Sequence, residues 1–196
     1  MSPIIPTITK EQILFNNIIV IEEGLLQTTT AKGVKRSFSR IKVNRQDAAA
    51  VLIYNTDTRK VILTRQFRYA VASLTKEPIL EIMAGKVDEG EEPLETGIRE
   101  AMEEYGYRIE RSNIHHLASF YASPGYTTEK YHLYFATVTT AGHINAGGGL
   151  EEENESIEVV EMDLPVFMKM AEDGLLQDGK TLMAAMLVKN RAGLIA

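Results

Sequence analysis

The sequence predicts a mixed α/β fold, a sheet sandwiched between helices, preceded by an N-terminal extension of β-strands. Three observations carry that expectation. Apolar runs at 48–54 and 60–67, separated by the polar turn Asn55-Thr-Asp-Thr, have the pattern of a hairpin. The first run is apolar at nearly every position, as a strand covered on both faces must be. Residues 93–105 form a strongly periodic helix, yet strands and helices do not alternate strictly along the chain, which favours a mixed sheet over a parallel one.

Taken in order, residues 13–22 are rich in Ile, Leu and Phe, and residues 34–43 alternate apolar with polar, so both read as strands. Residues 1–44 are assigned to this extension and 45–196 to the main domain. After the hairpin, a short strand over 79–83 runs into Ala84-Gly85. Pro93 suits the first position of the helix, where its missing N–H costs nothing, and Gly106 suits the position just past its end. Leu94, Ile98, Ala101, Met102 and Tyr105 make one apolar stripe. Strands follow at 115–121 and 131–138. Residues 141–156 are glycine-rich, then acidic, without periodicity. A strand at 157–162 and helices at 166–171 and 181–189 close the chain.

Composition narrows the chemistry. With 196 residues, 44% hydrophobic and 24% charged, the chain can bury a real core as one domain plus a modest extension. Its net charge of -6 gives no reason to expect nucleic acid or an anionic membrane as partner. An anionic substrate would need metal ions or a local group of Arg and Lys. The absence of cysteine excludes disulfides, zinc thiolates and thiol nucleophiles. No run approaches the roughly 18 apolar residues of a membrane span, and residues 1–6 lack a basic region followed by an apolar one, so the expected location is the cytoplasm.

The helix at 93–105 carries the clearest chemical signal. At about 100° per residue, Glu100 and Glu104 lie within about 40° of each other on one flank of the apolar stripe. Glu103 sits about 60° beyond Glu100, towards solvent, and Gly97 shares the Glu104 direction. Like charges four apart cost an isolated helix about 0.2–0.5 kcal/mol, and the helix dipole adds to that near the C-terminal end. A solvated face with Arg99 paired to Glu103 is the ordinary explanation. A divalent cation is the sharper one: carboxylate oxygens with no Cys or His beside them suit Mg²⁺ or Mn²⁺.

The surrounding pattern decides between the two. Gly85, Glu91, Arg99, Glu100, Ala101, Glu103, Glu104, Gly106 and Tyr107 reproduce the Nudix signature, with five residues between Gly85 and Glu91 and seven between Glu91 and Arg99. Tyr107 stands where an aliphatic residue is more usual. The chain therefore resembles the Nudix hydrolases. The resemblance implies an α/β/α sandwich and hydrolysis of a diphosphate linked to another group, with Mg²⁺ (or Mn²⁺) held by Glu100, Glu104 and the carbonyl of Ala84. It also implies that Arg99 and Glu91 tie the loop onto the helix.

Segments outside the signature refine the resemblance. The stretch from Asn145 to Val159 resembles the catalytic loop of the nucleoside-diphosphate-sugar pyrophosphatases: an acid, one residue, a second acid, one residue, then an aliphatic residue opening a strand. Anchored on Ile157, that pattern implies Glu155 as a further metal ligand and Glu153 as the base, with Glu151 and Glu152 as rivals. Arg65-Gln-Phe-Arg68, Ser123-Pro-Gly125, 145–149 and Asp178-Gly-Lys180-Thr181 look like the GDP-mannose branch of that family. By the same resemblance Arg40, Arg68, Glu129 and Lys180 would contact the substrate. A structural salt bridge is the alternative for Arg68, which has opposite strand parity to Arg65.

The implied substrate is a nucleoside diphosphate sugar, GDP-mannose before ADP-ribose, and the implied assembly is a homodimer in which Arg40 serves the partner's site. A Nudix-fold sensor without catalysis is the reading from another class, opposed by the intact acids at 100, 103 and 104. One departure concerns the base. An aromatic near the N-terminus stacks on it in the GDP-mannose branch, whereas here an aliphatic residue of 15–19 stands in its place; Tyr126 or Phe38 could stack instead, with a packing role the equal alternative for either. The four histidines read as structural or surface residues.

Overall fold

The computed structural model describes residues 5–75, 77–145, 147, 157–191 and 193. It contains two compact units, residues 1–47 with 121–130 and residues 48–120 with 131–196.

The first unit is an antiparallel meander of β1 (Thr7–Asn16), β2 (Val20–Thr29) and β3 (Lys35–Asn44). A single strand was expected over 13–22. Instead the chain turns at 17–19, so that Ile13 and Glu22 face each other across the β1–β2 ladder. Asn16 and Asn17 favour that turn, and an apolar run without clean alternation cannot show where a strand reverses. All ten residues of β1 are exposed. The segment 121–130 joins through Val43, whose N–H donates to the Tyr126 carbonyl at 2.7 Å and whose carbonyl accepts from Thr128 N–H at 3.1 Å.

The second unit is built on β4 (Ala48–Asn55), β5 (Lys60–Gln66), β6 (Ile79–Glu81), β7 (Met83–Lys86), β8 (Ile114–Tyr121), β9 (Lys130–Val138) and β10 (Ile157–Asp163). The sheet runs β10-β5-β4-β9-β8, with β6 added to β5 and β7 to β4. β4 is parallel to β9 and antiparallel to β5 and β7, which makes the sheet mixed, as expected. The hairpin turn is fixed by the Asn55 side chain, which accepts from the N–H groups of Asp57 at 3.0 Å and Thr58 at 3.3 Å.

Among the described residues, three α-helices cover the sheet: α1 (Pro93–Tyr105), α2 (Leu164–Glu172) and α3 (Gly179–Lys189). Every residue of β4 is buried, and its side chains divide by parity. Ala49, Val51 and Ile53 share a core with Ala101 and Tyr105 of α1. Ala50, Leu52 and Tyr54 share the other with Phe167, Ala184, Ala185 and Val188 of α2 and α3. That is the α/β/α sandwich.

The strand anticipated at 79–83 is two strands. β6 pairs with β5 and β7 pairs with β4, so the chain crosses between neighbouring strands at Ile82. This crossing sets Gly85 opposite Ala49, under α1. The ends of α1 are as its sequence requires. Pro93 lies in the first turn, and Gly106 takes φ 69°, its N–H bonded to the Met102 carbonyl and that of Tyr107 to the Ala101 carbonyl.

Candidate active site

The site is assembled where β7 meets the last turns of α1. Gly85 has no side chain, and a Cβ there would fall on the Glu100 carboxylate, well inside contact distance. The carboxylate therefore rests against the backbone that follows the Ala84 carbonyl. Four residues on, Glu104 is 8% exposed. Its neighbour Tyr105 is fully buried; burial first, and the Glu104 charge second, push the phenol well above its ordinary pKa and keep it neutral.

Arg99 organises the surrounding acids. Its Nε and Nη2 donate to the two Glu91 oxygens, each at 3.3 Å, and its Nη1 donates to Glu100 at 2.9 Å and Glu103 at 3.0 Å. Thr96 Oγ1 adds a bond to Glu91 at 2.7 Å. The Arg99 bond, seconded by Thr96, holds the Glu91 carboxyl below the usual carboxylate range, and Glu91 in turn raises the Arg99 guanidinium. Glu91 thus ties the 87–92 loop to the helix, and Arg99 offsets the repulsion that Glu100 and Glu103 would otherwise feel.

These donors fit a hard divalent cation. They are two carboxylates on one helical flank, one nearly buried, beside a peptide carbonyl at a glycine whose missing Cβ leaves room, with no nitrogen or sulfur ligand. Among the described residues no group of three or more His, Cys, Asp or Glu could hold a metal ion. Glu100, Glu104 and the Ala84 carbonyl could therefore supply only part of a metal's ligands. Glu153 and Glu155, with their rivals Glu151 and Glu152, lie outside the described residues.

The two ends of that segment are described. Ile157 pairs with Gln66 in the β10–β5 ladder. On the other side, the Ile144 N–H donates to the Gly106 carbonyl at 2.9 Å, and Asn145 Oδ1 accepts from Gly147 N–H at 2.9 Å. A Cβ on Gly147 would collide with the Glu104 carbonyl, so residue 147 lies on the last turn of α1.

Arg68 and Lys180, both expected at the substrate, are brought together by a residue the sequence reading passed over. Glu81 ends β6 with a side chain only 5% exposed. Its Oε1 accepts from Arg68 Nε at 2.7 Å, and its Oε2 accepts from Arg68 Nη2 at 2.9 Å and Lys180 Nζ at 2.5 Å. Burial alone would raise the Glu81 carboxyl, but the Arg68 hydrogen bonds and the Lys180 charge outweigh it and hold it below the usual range. Burial likewise works against the Lys180 ammonium, and Asp178 and Glu81 outweigh that, raising it. Asp178 lies 3.1 Å from Lys180 Nζ and caps α3 by accepting from Thr181 N–H at 3.0 Å. The Lys180 side chain is 4% exposed and that of Arg68 42%. A signal for Glu81 was present: a lone carboxylate in the apolar run Ile79-Leu-Glu-Ile-Met83 must find a cation if buried.

Arg40 and Glu129 belong to the first unit. There the Arg40 guanidinium lies 4.6 Å from the centre of the Phe38 ring, and Glu129 pairs with Arg45 at 3.3 Å. Tyr126, the other candidate for stacking, is exposed.

Comparison with known proteins agrees with this geometry. The family pattern described as the NUDIX domain matches residues 44–183. A GDP-mannose pyrophosphatase of Citrobacter koseri is 33% identical over 179 residues, covering 90% of this chain and 91% of that protein. One from Cronobacter sakazakii is 35% identical, covering 89% and 90%, and one from Escherichia coli K12 is 34% identical, covering 90% and 91%. A crystal structure of an ADP compounds hydrolase superposes with a TM-score of 0.74 at 21% identity, covering 96% of this chain and 94% of that one, which supports the fold. With the Gly85–Tyr107 signature folded as a turn, a loop and an acidic helix, this chain belongs to the Nudix family and is a Nudix pyrophosphohydrolase.

Proposed function

We propose that the chain is a cytoplasmic, Mg²⁺-dependent enzyme that hydrolyses the diphosphate of a nucleoside diphosphate sugar, GDP-mannose foremost, to GMP and mannose 1-phosphate. The observation that carries this reading is the likeness to GDP-mannose pyrophosphatases over about nine-tenths of the chain, at the identities given above. The described site is compatible with it: a carboxylate pair on α1 and an arginine anchored at the end of β6.

Glu100, Glu104 and the Ala84 carbonyl would hold the cation, with Glu155 as a further ligand. A bound divalent cation supplies the countercharge that a diphosphate needs beside so many carboxylates. Glu153 takes the proton of the attacking water; the new bond forms at phosphorus, one bridging P–O bond breaks, and the two phosphates leave as separate products. The docking of Ile144 and Gly147 on the end of α1 and the pairing of Ile157 with Gln66 support that assignment, because these described residues bracket the stretch of sequence that carries the acids. Arg68 meets the diphosphate or the sugar next to it, Arg40 serves the partner's site, and Glu129 is a further contact by resemblance; Lys180, 4% exposed and held by Glu81 and Asp178, supports Arg68 rather than touching the substrate itself.

A homodimer is part of the reading. Ile8, Ile13, Leu14 and Phe15 of β1 are all about half exposed or more, a surface that a second copy would cover. A solution mass near twice 21.9 kDa at micromolar concentration is expected, and a monomer at that concentration would remove the dimer.

The function is tested by incubating the enzyme and Mg²⁺ with GDP-mannose and with ADP-ribose, and identifying products by chromatography. Release of GMP and mannose 1-phosphate with the higher kcat/KM supports the proposal. Preferential release of AMP and ribose 5-phosphate from ADP-ribose overturns it in favour of an ADP-ribose pyrophosphatase.

A further inference from the structure

The signature and its loop account for Glu100, Glu104 and their neighbours, but they give no role to Glu81. This carboxylate is buried at the end of β6, three residues before Ala84, and binds two cations through one group. Burying an ion pair that serves packing alone brings little net stability, because desolvation of each charge offsets their attraction. The geometry has a more specific consequence.

Arg68 meets Glu81 side-on, with Nε and Nη2 each on a separate oxygen, at 2.7 and 2.9 Å. Two parallel bonds to a carboxylate fix the plane of the guanidinium and its rotation within that plane. Glu81 itself cannot turn to follow Arg68, because its Oε2 is also held by Lys180 at 2.5 Å. Lys180 is held in turn by Asp178, at 3.1 Å. Asp178 Oδ2 accepts from both the N–H and the hydroxyl of Thr181, at 3.0 and 2.5 Å, and Thr181 Oγ1 accepts from the N–H of Ile82 at 2.8 Å. Ile82 follows Glu81 in the chain. The connections therefore close on themselves, through β6, the first turn of α3 and back, with Arg68 as the one member whose side chain is substantially exposed.

We propose that Glu81 is a positioning residue for catalysis: the closed ring of Glu81, Lys180, Asp178, Thr181 and Ile82 presents the Arg68 guanidinium to the substrate's phosphate-bearing part in one fixed orientation. The inference rests on the reading that a nucleoside diphosphate derivative is the substrate and Arg68 one of its contacts. Glu81 does not touch the substrate. Its removal takes away the two-oxygen hold that fixes the plane of the guanidinium, and the substrate must then meet part of the ordering cost on binding. The effect falls on KM, since Arg68 lies in the binding part of the site and the metal-bearing flank of α1 is untouched.

The test is a double-mutant cycle of Arg68→Ala and Glu81→Gln, with kcat and KM measured in Mg²⁺ on whichever of GDP-mannose and ADP-ribose the wild type hydrolyses faster. Glu81→Gln is expected to raise KM about tenfold, the scale of one charge-assisted contact, with kcat within about threefold of wild type. In the Arg68→Ala background the same change should do almost nothing further, because there is no guanidinium left to orient. Full additivity of the two effects on KM overturns the proposal, and so does a loss confined to kcat. If Glu81→Gln fails to fold with Lys180 buried beside it, the cycle is run with Glu81→Asp, which keeps a negative charge for Lys180 but is one methylene too short to hold both Arg68 nitrogens and Lys180 as Glu81 does, and the same two outcomes decide. If the wild type hydrolyses neither compound, the functional reading fails rather than the positioning role, and the cycle is read on binding of the two nucleotides GMP and AMP to the same four proteins by calorimetry. Coupled losses of affinity there support the proposal and additive losses overturn it.

Discussion

A methyl group at position 85 would land on the Glu100 carboxylate. The obstructing atoms are the far end of a flexible side chain, so the carboxylate can swing away and the fold survives. What cannot survive is the placement of that carboxylate beside the Ala84 carbonyl. Gly85→Ala is therefore expected to unfold within a few degrees of wild type while losing at least about tenfold in kcat/KM, roughly the loss of one charged contact. Thermal unfolding and steady-state rates on the same preparation check this, and a variant that is both folded and fully active would refute it. At this scale the sequence was readable where spacing is rigid. Glu91, Arg99 and Glu100 sit within a short loop and a helix, and the contacts of Arg99 with the other two follow from that spacing. Glu81 shows in the sequence only as a carboxylate needing a cation; its partners were not readable, because they lie 13 and 99 residues away and only the tertiary fold brings them together.

Among the elements, α1 and α3 show two ways in which a helix end is fixed. α1 begins with Pro93 and ends with Gly106 in the left-handed region, both visible as sequence punctuation. α3 is capped by Asp178, which also faces the Lys180 ammonium. Asp178→Ala removes the cap and half of the carboxylate environment of a nearly buried lysine, and should cost about 2–3 kcal/mol. Urea unfolding gives that figure directly; a loss below about 0.5 kcal/mol would mean that the cap and the ion pair contribute little. The hairpin of β4 and β5, the helices and the strands β8 to β10 followed from periodicity, because burial on one or two faces imposes it. The turn at 17–19 and the crossing at Ile82 did not. Both occur inside apolar runs, and hydrophobicity alone cannot distinguish a strand that continues from one that reverses or changes partner.

The molecule as a whole reconciles a net charge of -6 with an anionic substrate by local arrangement. Arg99 gathers three glutamates, and Glu81 holds two cations, so each charged group is met by its opposite before the substrate arrives. One arginine charge among three glutamates leaves this part of α1 rich in carboxylate, and the proposed cation belongs on the flank that carries Glu100 and Glu104. The direct test is a titration of Mn²⁺ into the whole protein, followed by the loss of the free-ion electron paramagnetic resonance signal, with wild type compared to Glu104→Gln. Wild type should take up Mn²⁺, Mg²⁺ should compete for the same site, and Glu104→Gln should bind at least about tenfold more weakly while remaining folded. Equal Mn²⁺ affinity in the two proteins would contradict a metal site on this helix.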